Sequence, residues 1–156
     1  MTSHSSLGLW TLEDADGSLR QSMARLVVPT KGQRFHQISQ PVNGWLKSFG
    51  AGDGLITLFL RHTSASLTIQ ENTDPDVQAD IIDALDRLAP ETVGYRHHME
   101  GADDMPAHIK TLLTGVNLQI PVIGGEMDLG TWQALYLVEH RDGLHQRTVT
   151  LHYLGT

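Results

Sequence analysis

Short apolar segments separated by turn residues dominate the hydrophobic pattern of the chain, and their length is typical of β-strands. Strands are predicted at Met23–Pro29, Gln33–Ile38, Leu55–Leu60, Leu67–Gln70, Val116–Val122, Trp132–His140 and Gln146–Leu154. Leu55–Leu60 is almost continuously apolar, which predicts a strand buried on both faces, with Leu67–Gln70 returning after it. Turn signals at Thr30–Gly32 and Asp142-Gly143 predict that the strands flanking each turn pair as a hairpin.

Helical periodicity is clearest after Asp74, which can cap a helix whose apolar positions recur on one face from Val77 to Leu88. A shorter helix is predicted after Ser39 as its cap. Another is predicted from about Met105 to Leu113, capped by Asp104. Strands outnumber helices, so the predicted fold is an α+β fold, a β-sandwich of mainly antiparallel strands with two or three flanking helices.

The length of 156 residues is typical of one domain. Residues 1–18 are polar and predict a loose leader before a single domain at residues 19–156. The formal net charge is −7, whereas sequence-independent nucleic-acid binding needs clustered Lys and Arg. No apolar run approaches the roughly 20 residues that cross a bilayer. Neither a nucleic acid nor a membrane is therefore expected as a partner.

The chain contains no cysteine, which excludes disulfides and thiolate ligands. A transition metal would therefore have to be held by His or by carboxylates. The same composition is consistent with the cytoplasm, which is the expected location.

Polar residues are concentrated in Arg61–Asp76, between the long apolar strand and the predicted central helix. Loops held by rigid elements are a common location of functional residues. Thr63 and Ser64 offer hydroxyls and backbone donors suited to a phosphate or carboxylate. Glu71 can act as a general base or ligand, and Asn72 can contact a ligand or bridge to backbone. The alternative for Glu71 and Asn72 is loop ordering and capping.

Three histidines, His62, His97 and His108, lie outside strand interiors and near the polar segments. Three neutral imidazoles can bind a divalent ion and leave a position open for water or substrate. Such a site favours a transition metal such as zinc. Their spacing matches no compact metal motif, and the alternative is that each is a surface or hydrogen-bonded histidine.

Asp104 lies four residues before His108, so the two side chains share a helix face. The carboxylate can then fix the tautomer of the imidazole or co-ligate a metal. The alternative is a capping aspartate with no chemical role. Glu139 is expected to pair with Arg141 or Arg147 as an exposed ion pair.

Two further residues carry weaker signals. Trp132 follows a glycine that permits close backbone approach, so it is a candidate ligand contact. The alternative is that Trp132 belongs to the core or to an interface. Lys110 follows His108 by two residues, points away from it on the helix, and is expected to be solvated.

Several segments in order resemble one known family, the YjbQ-like (UPF0047) proteins. They are H-T-S-A-S-L-T-I-Q-E-N, D-P-D-V-Q-A-D, Y-R-H, A-H-I-K, L-G-T-W-Q and V-E-H-R. The resemblance covers roughly Arg25 to Leu154. Members of this family are often named secondary thiamine-phosphate synthases. The resemblance implies a β-sandwich with helices packed alongside, and assembly as a homotrimer.

The resemblance also implies a site and an activity. His62, His97 and His108 match the histidines of the H-T-S, Y-x-H and A-H motifs, where a bound metal or anion is expected. The implied activity joins a pyrimidine pyrophosphate to a thiazole phosphate with loss of pyrophosphate.

The predicted function is a weak thiamine-phosphate synthase that acts on a small phosphorylated ligand. His62, His97, His108 and Glu71 are its catalytic candidates, and zinc or magnesium is its candidate cofactor. Two alternatives remain open. One is a trimeric metal- or anion-binding protein without efficient catalysis, and the other is a purely structural trimer.

Overall fold

The computed structural model describes residues 19–156, and the predicted leader at residues 1–18 lies outside them. Within this range the helices are α1 (Ser39–Ser48), α2 (Pro75–Leu88) and α3 (Asp104–Thr114). The strands are β1 (Arg20–Lys31), β2 (Arg34–Gln37), β3 (Gly54–Leu60), β4 (Ala65–Glu71), β5 (Asn117–Ile123), β6 (Glu126–Met127), β7 (Gln133–Glu139) and β8 (Leu144–Gly155).

Two antiparallel sheets pack face to face. The larger sheet has five strands in the order β1-β8-β3-β5-β6, and the smaller has three in the order β2-β7-β4. Alternate residues of β3 and β8, among them Ile56, Leu58 and Leu151, meet Leu135 and Leu137 of β7 in the core. The predicted α+β fold, with antiparallel sheets and three helices, is therefore confirmed.

The strand buried on both faces is β7 rather than β3. Leu135 and Leu137 face the larger sheet, while Tyr136 and Val138 pack with Ile81 of α2 on the opposite side. In β3, by contrast, Leu55 is 37% exposed and Phe59 is 51% exposed. The prediction for Leu55–Leu60 was wrong on this point because a continuous apolar run does not show which of its faces the fold covers.

The turns predicted as hairpins connect the two sheets instead. β1 pairs with β8, whereas β2 pairs with β7, so the turn at Thr30–Gly32 joins strands of different sheets. The turn at Asp142-Gly143 likewise leads from β7 in the smaller sheet to β8 in the larger. β4 pairs with β7 and not with β3. Both hairpin predictions were wrong, although the turns themselves lie where they were expected.

The helices close the sandwich at different places. α2 begins as predicted, because the Asp74 carboxylate accepts the amide of Asp76 and Pro75 opens the helix. α2 covers the outer face of the smaller sheet. α1 begins at Ser39, whose hydroxyl accepts the Leu135 amide at 2.9 Å instead of capping the helix. α3 packs on β4, where Thr111 donates to the Ala65 carbonyl at 3.2 Å.

The outward face of the larger sheet carries exposed apolar side chains. The strand registers place Met23, Val27, Leu55, Phe59 and Leu154 on this face, opposite the core. All five remain exposed within residues 19–156. Within the described range, no helix combines the length and the apolar character that crossing a bilayer requires.

Candidate functional site

The N-terminal turn of α3 places a buried carboxylate beside an imidazole. Asp104 is the first residue of α3 and His108 lies one turn later, so both side chains project from the same face. The N-cap residue is Asp103, and it makes no side-chain capping bond. The capping role considered for Asp104 is therefore wrong, and its carboxylate is directed towards side chains.

His97 joins this pair from the loop that precedes α3. Its Nε2 lies 2.6 Å from Oδ2 of Asp104, and Nε2 of His108 lies 3.2 Å from the same oxygen. One ligand atom from each of the three residues lies within 4.8 Å of the others. The Asp104 side chain is 3% exposed, whereas those of His97 and His108 are 46% and 32% exposed. The buried carboxylate thus lies beneath two accessible imidazoles.

The hydrogen bonds of His108 determine which ring nitrogen is available. Its Nδ1 lies 2.8 Å from the Thr63 carbonyl oxygen, which can only accept, so Nδ1 carries a hydrogen. In the neutral ring, the lone pair of Nε2 then faces a carboxylate oxygen of Asp104. A metal ion beside Nε2 would make this contact between two acceptors favourable. This is the arrangement of a metal-ligating histidine whose second nitrogen donates to a carbonyl.

The carboxylate of Asp104 is kept ionised by its neighbours. Burial alone would raise its pKa, but the hydrogen bond from His97 and the positive charge of Arg141 hold the pKa below its ordinary value. Arg141 reaches Oδ1 of Asp104 through Nη1. It also donates from Nε to Asp103 at 2.7 Å and from Nη2 to the Glu100 carbonyl at 2.9 Å. Arg141 therefore ties the loop of His97 to the start of α3.

His62 lies outside this group of three. Its Nε2 accepts the backbone amide of Thr148 at 2.9 Å, so the hydrogen of the neutral ring is on Nδ1. Burial, together with the nearby charge of Arg147, lowers the pKa of His62, which favours the neutral form. The structure therefore brings together two of the three predicted histidines, and Asp104 occupies the place expected for the third.

His62 and His108 nevertheless border the same cleft. It has a volume of about 890 Å³ and opens between α3 and the end of β3. Its lining residues are Phe59, Leu60, Arg61, His62, Thr63, Met105, His108, Ile109, Thr111, Leu112, Gly115, Val116 and Asn117. Apolar side chains form most of the wall, and its polar part includes Arg61 and the two histidines. The cleft can thus accommodate an organic molecule beside His108.

Ser64 lies behind the cleft and contacts a buried ion pair. Its hydroxyl and carbonyl oxygens lie 3.1 Å and 3.3 Å from Nη2 of Arg147. Arg147 binds Glu139 through two nitrogens, and both side chains are almost completely buried. Ser64 itself is 8% exposed, so its hydroxyl faces this pair instead of the solvent. The expected exposed ion pair of Glu139 is therefore a buried one.

The remaining predicted residues lie at the other end of β4. Glu71 accepts the amides of Thr73 and Asp74 at 3.0 Å and 2.8 Å, which orders the entrance to α2. Asn72 donates to the Thr131 carbonyl at 3.1 Å, next to Trp132, which is 63% exposed. Six residues of extended strand span about 20 Å, so this end lies far from the histidines within one chain. Loop ordering accounts for the contacts of Glu71 and Asn72.

Sequence reasoning missed two buried polar residues outside the group of three, Lys110 in α3 and His140 directly after β7. Lys110 was expected to be solvated, but it is 1% exposed and its ammonium binds Asp86 of α2 and Oε1 of Gln33 at 3.3 Å. His140 is 2% exposed, and its Nε2 lies 2.8 Å from the Ser66 hydroxyl. The sequence did offer a signal for the burial of both residues. Each is a charged or imidazole side chain within an otherwise apolar strand or helix face.

Comparisons with known proteins agree on one family. The family model of the UPF0047 protein YjbQ-like group matches residues 24–156. A UPF0047 protein from Synechocystis is 45% identical over 139 residues, covering 88% of this chain and 95% of that protein. A solved structure of an uncharacterised conserved protein of the same family from Clostridium acetobutylicum is 37% identical, with a TM-score of 0.76, covering 83% of this chain and 98% of that one.

A second solved structure matches in fold. It is a YbjQ-like protein of unknown function from Sulfolobus solfataricus, with a TM-score of 0.81 over 89% of this chain and 100% of that one. Its sequence identity is 21%, so the match concerns the fold alone.

Proposed function

We propose that this chain, which belongs to the YjbQ-like UPF0047 family, binds one divalent transition metal at His97, Asp104 and His108. The observation that carries the proposal is the pair of imidazoles that face one buried carboxylate oxygen. Two imidazole nitrogens and a carboxylate are a ligand set that zinc uses in catalytic sites, where a further position stays open.

The donor chemistry fits such an ion. Zinc–nitrogen distances of about 2.0–2.1 Å place neighbouring ligands about 3.3 Å apart in a tetrahedron. The contact of 3.2 Å between His108 and Asp104 agrees with this spacing, and the hydrogen bond to Thr63 supports the tautomer that a ligand needs. The 2.6 Å hydrogen bond between His97 and Asp104 is shorter than this spacing and would open when the ion binds. Magnesium prefers oxygen ligands, so zinc suits this set better. When bound, the ion would supply Lewis acidity beside the cleft.

We further propose that a small phosphorylated molecule binds in the cleft, with thiamine-phosphate synthesis as the activity that the family resemblance implies. Apolar walls such as Phe59 and Ile109 suit flat heterocyclic rings, while Arg61 can contact phosphate oxygens. Departure of pyrophosphate needs cationic groups that stabilise the developing negative charge. Arg61, which lines the cleft, and the proposed ion, held partly by His108 of the same wall, would provide them.

The proposal also includes self-association. Exposed apolar residues on the outward face of the larger sheet, such as Met23 and Val27, are the kind of surface that copies of a chain cover. That the assembly is a trimer is an expectation from the family resemblance alone. The cytoplasmic location expected from the composition remains a prediction.

Zinc titration of the tag-free protein tests the metal site. We expect one ion per chain in calorimetry, and at least tenfold weaker binding in His97→Ala and in Asp104→Asn, since each removes a ligand. His98→Ala is the matched control, because it removes the neighbouring exposed histidine of the same loop. Equal affinity of the His97→Ala and His98→Ala proteins, or no binding by the parent, would contradict the site.

Thiamine-phosphate formation is then measured for both proteins in the presence of added zinc. The parent should form the product and His108→Ala should not. One zinc ion per chain without product would instead support the alternative, a metal-binding protein without efficient catalysis. Equal product from parent and His108→Ala would contradict catalysis at this site.

A further inference from the structure

Glu139 is a buried carboxylate that contacts neither the cleft nor the three proposed ligands. It is the last residue of β7, and its side chain is 0% exposed. Its oxygens accept from Arg147, from the Thr30 hydroxyl at 2.6 Å and from the Arg141 amide at 3.0 Å. Burial alone would raise the pKa of Glu139, but the hydrogen bonds from Arg147 and Thr30 lower it below its ordinary value. The carboxylate is therefore ionised and fully bonded.

One connection runs from Glu139 to the imidazole of His108. Arg147 binds Glu139 and also both oxygens of Ser64. Ser64 directly follows Thr63, so these bonds hold the residue next to the Thr63 carbonyl. That carbonyl is the acceptor for Nδ1 of His108. The orientation and tautomer of the ring thus depend on a carbonyl whose neighbouring residue is held by the ion pair.

A second connection runs from Glu139 to the carboxylate of Asp104. The Arg141 amide donates to Oε1 of Glu139, which fixes the backbone at the end of β7. From that position the Arg141 guanidinium reaches Asp103 and Asp104. Both connections begin at the Glu139 carboxylate, and they end on two neighbouring members of the proposed metal site.

We propose that Glu139 is a positioning residue that sets the relative placement of His108 and Asp104 through Arg147 and Arg141. The proposal rests on the metal site described above. Burying an ion pair is a poor source of stability, since apolar residues of similar volume are often as stable or more so. Bonds that extend from this pair to both halves of the site give it a specific role, which resembles the outer hydrogen bonds that orient metal ligands.

The Glu139→Gln variant tests the proposal, because glutamine keeps the shape and loses the charge that binds Arg147. We expect zinc binding to weaken by about 10–100-fold, although all three ligands are retained. Glu71→Gln is the matched control, since Glu71 is a carboxylate at the far end of β4 that binds only backbone amides. Its zinc affinity should equal that of the parent.

The tautomer of His108 provides a readout that needs no metal. In the metal-free parent, nitrogen-15 NMR should show the hydrogen on Nδ1, as the bond to Thr63 requires. In metal-free Glu139→Gln, a mixture of the two tautomers is expected. A local change of this kind separates positioning from a general loss of stability. It also separates this proposal from the metal site, because the tautomer can shift whether or not zinc binds.

Arg147→Lys serves as a second variant, because removing one member of a buried pair can prevent folding. Lysine retains the positive charge beside Glu139 but lacks the planar group that reaches Glu139 and Ser64 together. If Glu139→Gln does not fold, Arg147→Lys decides the result alone. A folded variant whose His108 tautomer matches that of the parent would overturn the proposal, and so would zinc affinity within twofold of the parent where the parent binds zinc.

Discussion

The buried imidazole of His140 makes the stability of this protein depend on pH in a predictable direction. His140 is 2% exposed and its Nε2 bonds to the Ser66 hydroxyl. Burial, reinforced by the charge of Lys110, lowers the pKa of His140 from 6.5 to about 4. The folded protein therefore keeps this ring neutral at pH values where an unfolded chain protonates it.

The sign and size of the effect follow from that difference. Above pH 6.5 both states carry a neutral ring, so the ring adds no pH dependence. Between 6.5 and about 4 the unfolded state binds the additional proton, and stability falls as the pH is lowered. At 1.36 kcal/mol per pH unit, the complete loss is about 3 kcal/mol. Below about 4 both states are protonated and this contribution stops changing.

The perturbation that isolates this effect is His140→Gln, which keeps a polar group near Ser66 but does not titrate. Urea unfolding of both proteins from pH 7.5 to pH 4 gives two stability curves. Carboxylates and the other histidines titrate in both, so their contributions cancel in the difference between the curves. The stability advantage of the parent over His140→Gln should shrink by about 3 kcal/mol as the pH falls from 6.5 to 4. A difference that stays constant with pH would refute the reasoning.

Two further predictions concern stability and assembly. Asp86→Ala should destabilise the protein by about 1–3 kcal/mol, and by more than Lys110→Met does. Asp86→Ala leaves a buried ammonium without its carboxylate partner, whereas Lys110→Met leaves only a carboxylate that is 49% exposed. Equal effects of the two substitutions in urea unfolding would contradict this asymmetry. Light scattering at micromolar concentration should give a trimer for the parent and a smaller species for Met23→Asp on the outward face of the larger sheet, whereas a monomeric parent would contradict self-association.

Local signals account for the parts of the fold that the sequence predicted well. α2 was predicted from its cap, its proline and its apolar spacing, all of which act within a few residues. The strands were located for the same reason, because alternation and turn residues are local properties. In the site, the proximity of Asp104 and His108 followed from one turn of helix, and the structure agrees with it.

The pairing of the strands could not be predicted from local signals of this kind. A turn such as Asp142-Gly143 reverses the chain, but it does not determine whether the next strand pairs with the previous one or crosses to another sheet. That choice depends on burial against distant segments, such as the pairing of β8 with both β1 and β3. The apolar run of β3 shows the same limit, since only the assembled sandwich leaves Phe59 exposed.

By itself, the sequence determined the family, the element types and the polar residues from which a site could form. Only the tertiary structure decided which of those residues meet. It placed His97 beside Asp104 and His108, turned the His62 ring towards the Thr148 amide, and separated Glu71 from all of them. The physical reason is that helix and strand periodicities act over a few residues, whereas these contacts depend on how two sheets and a loop pack together.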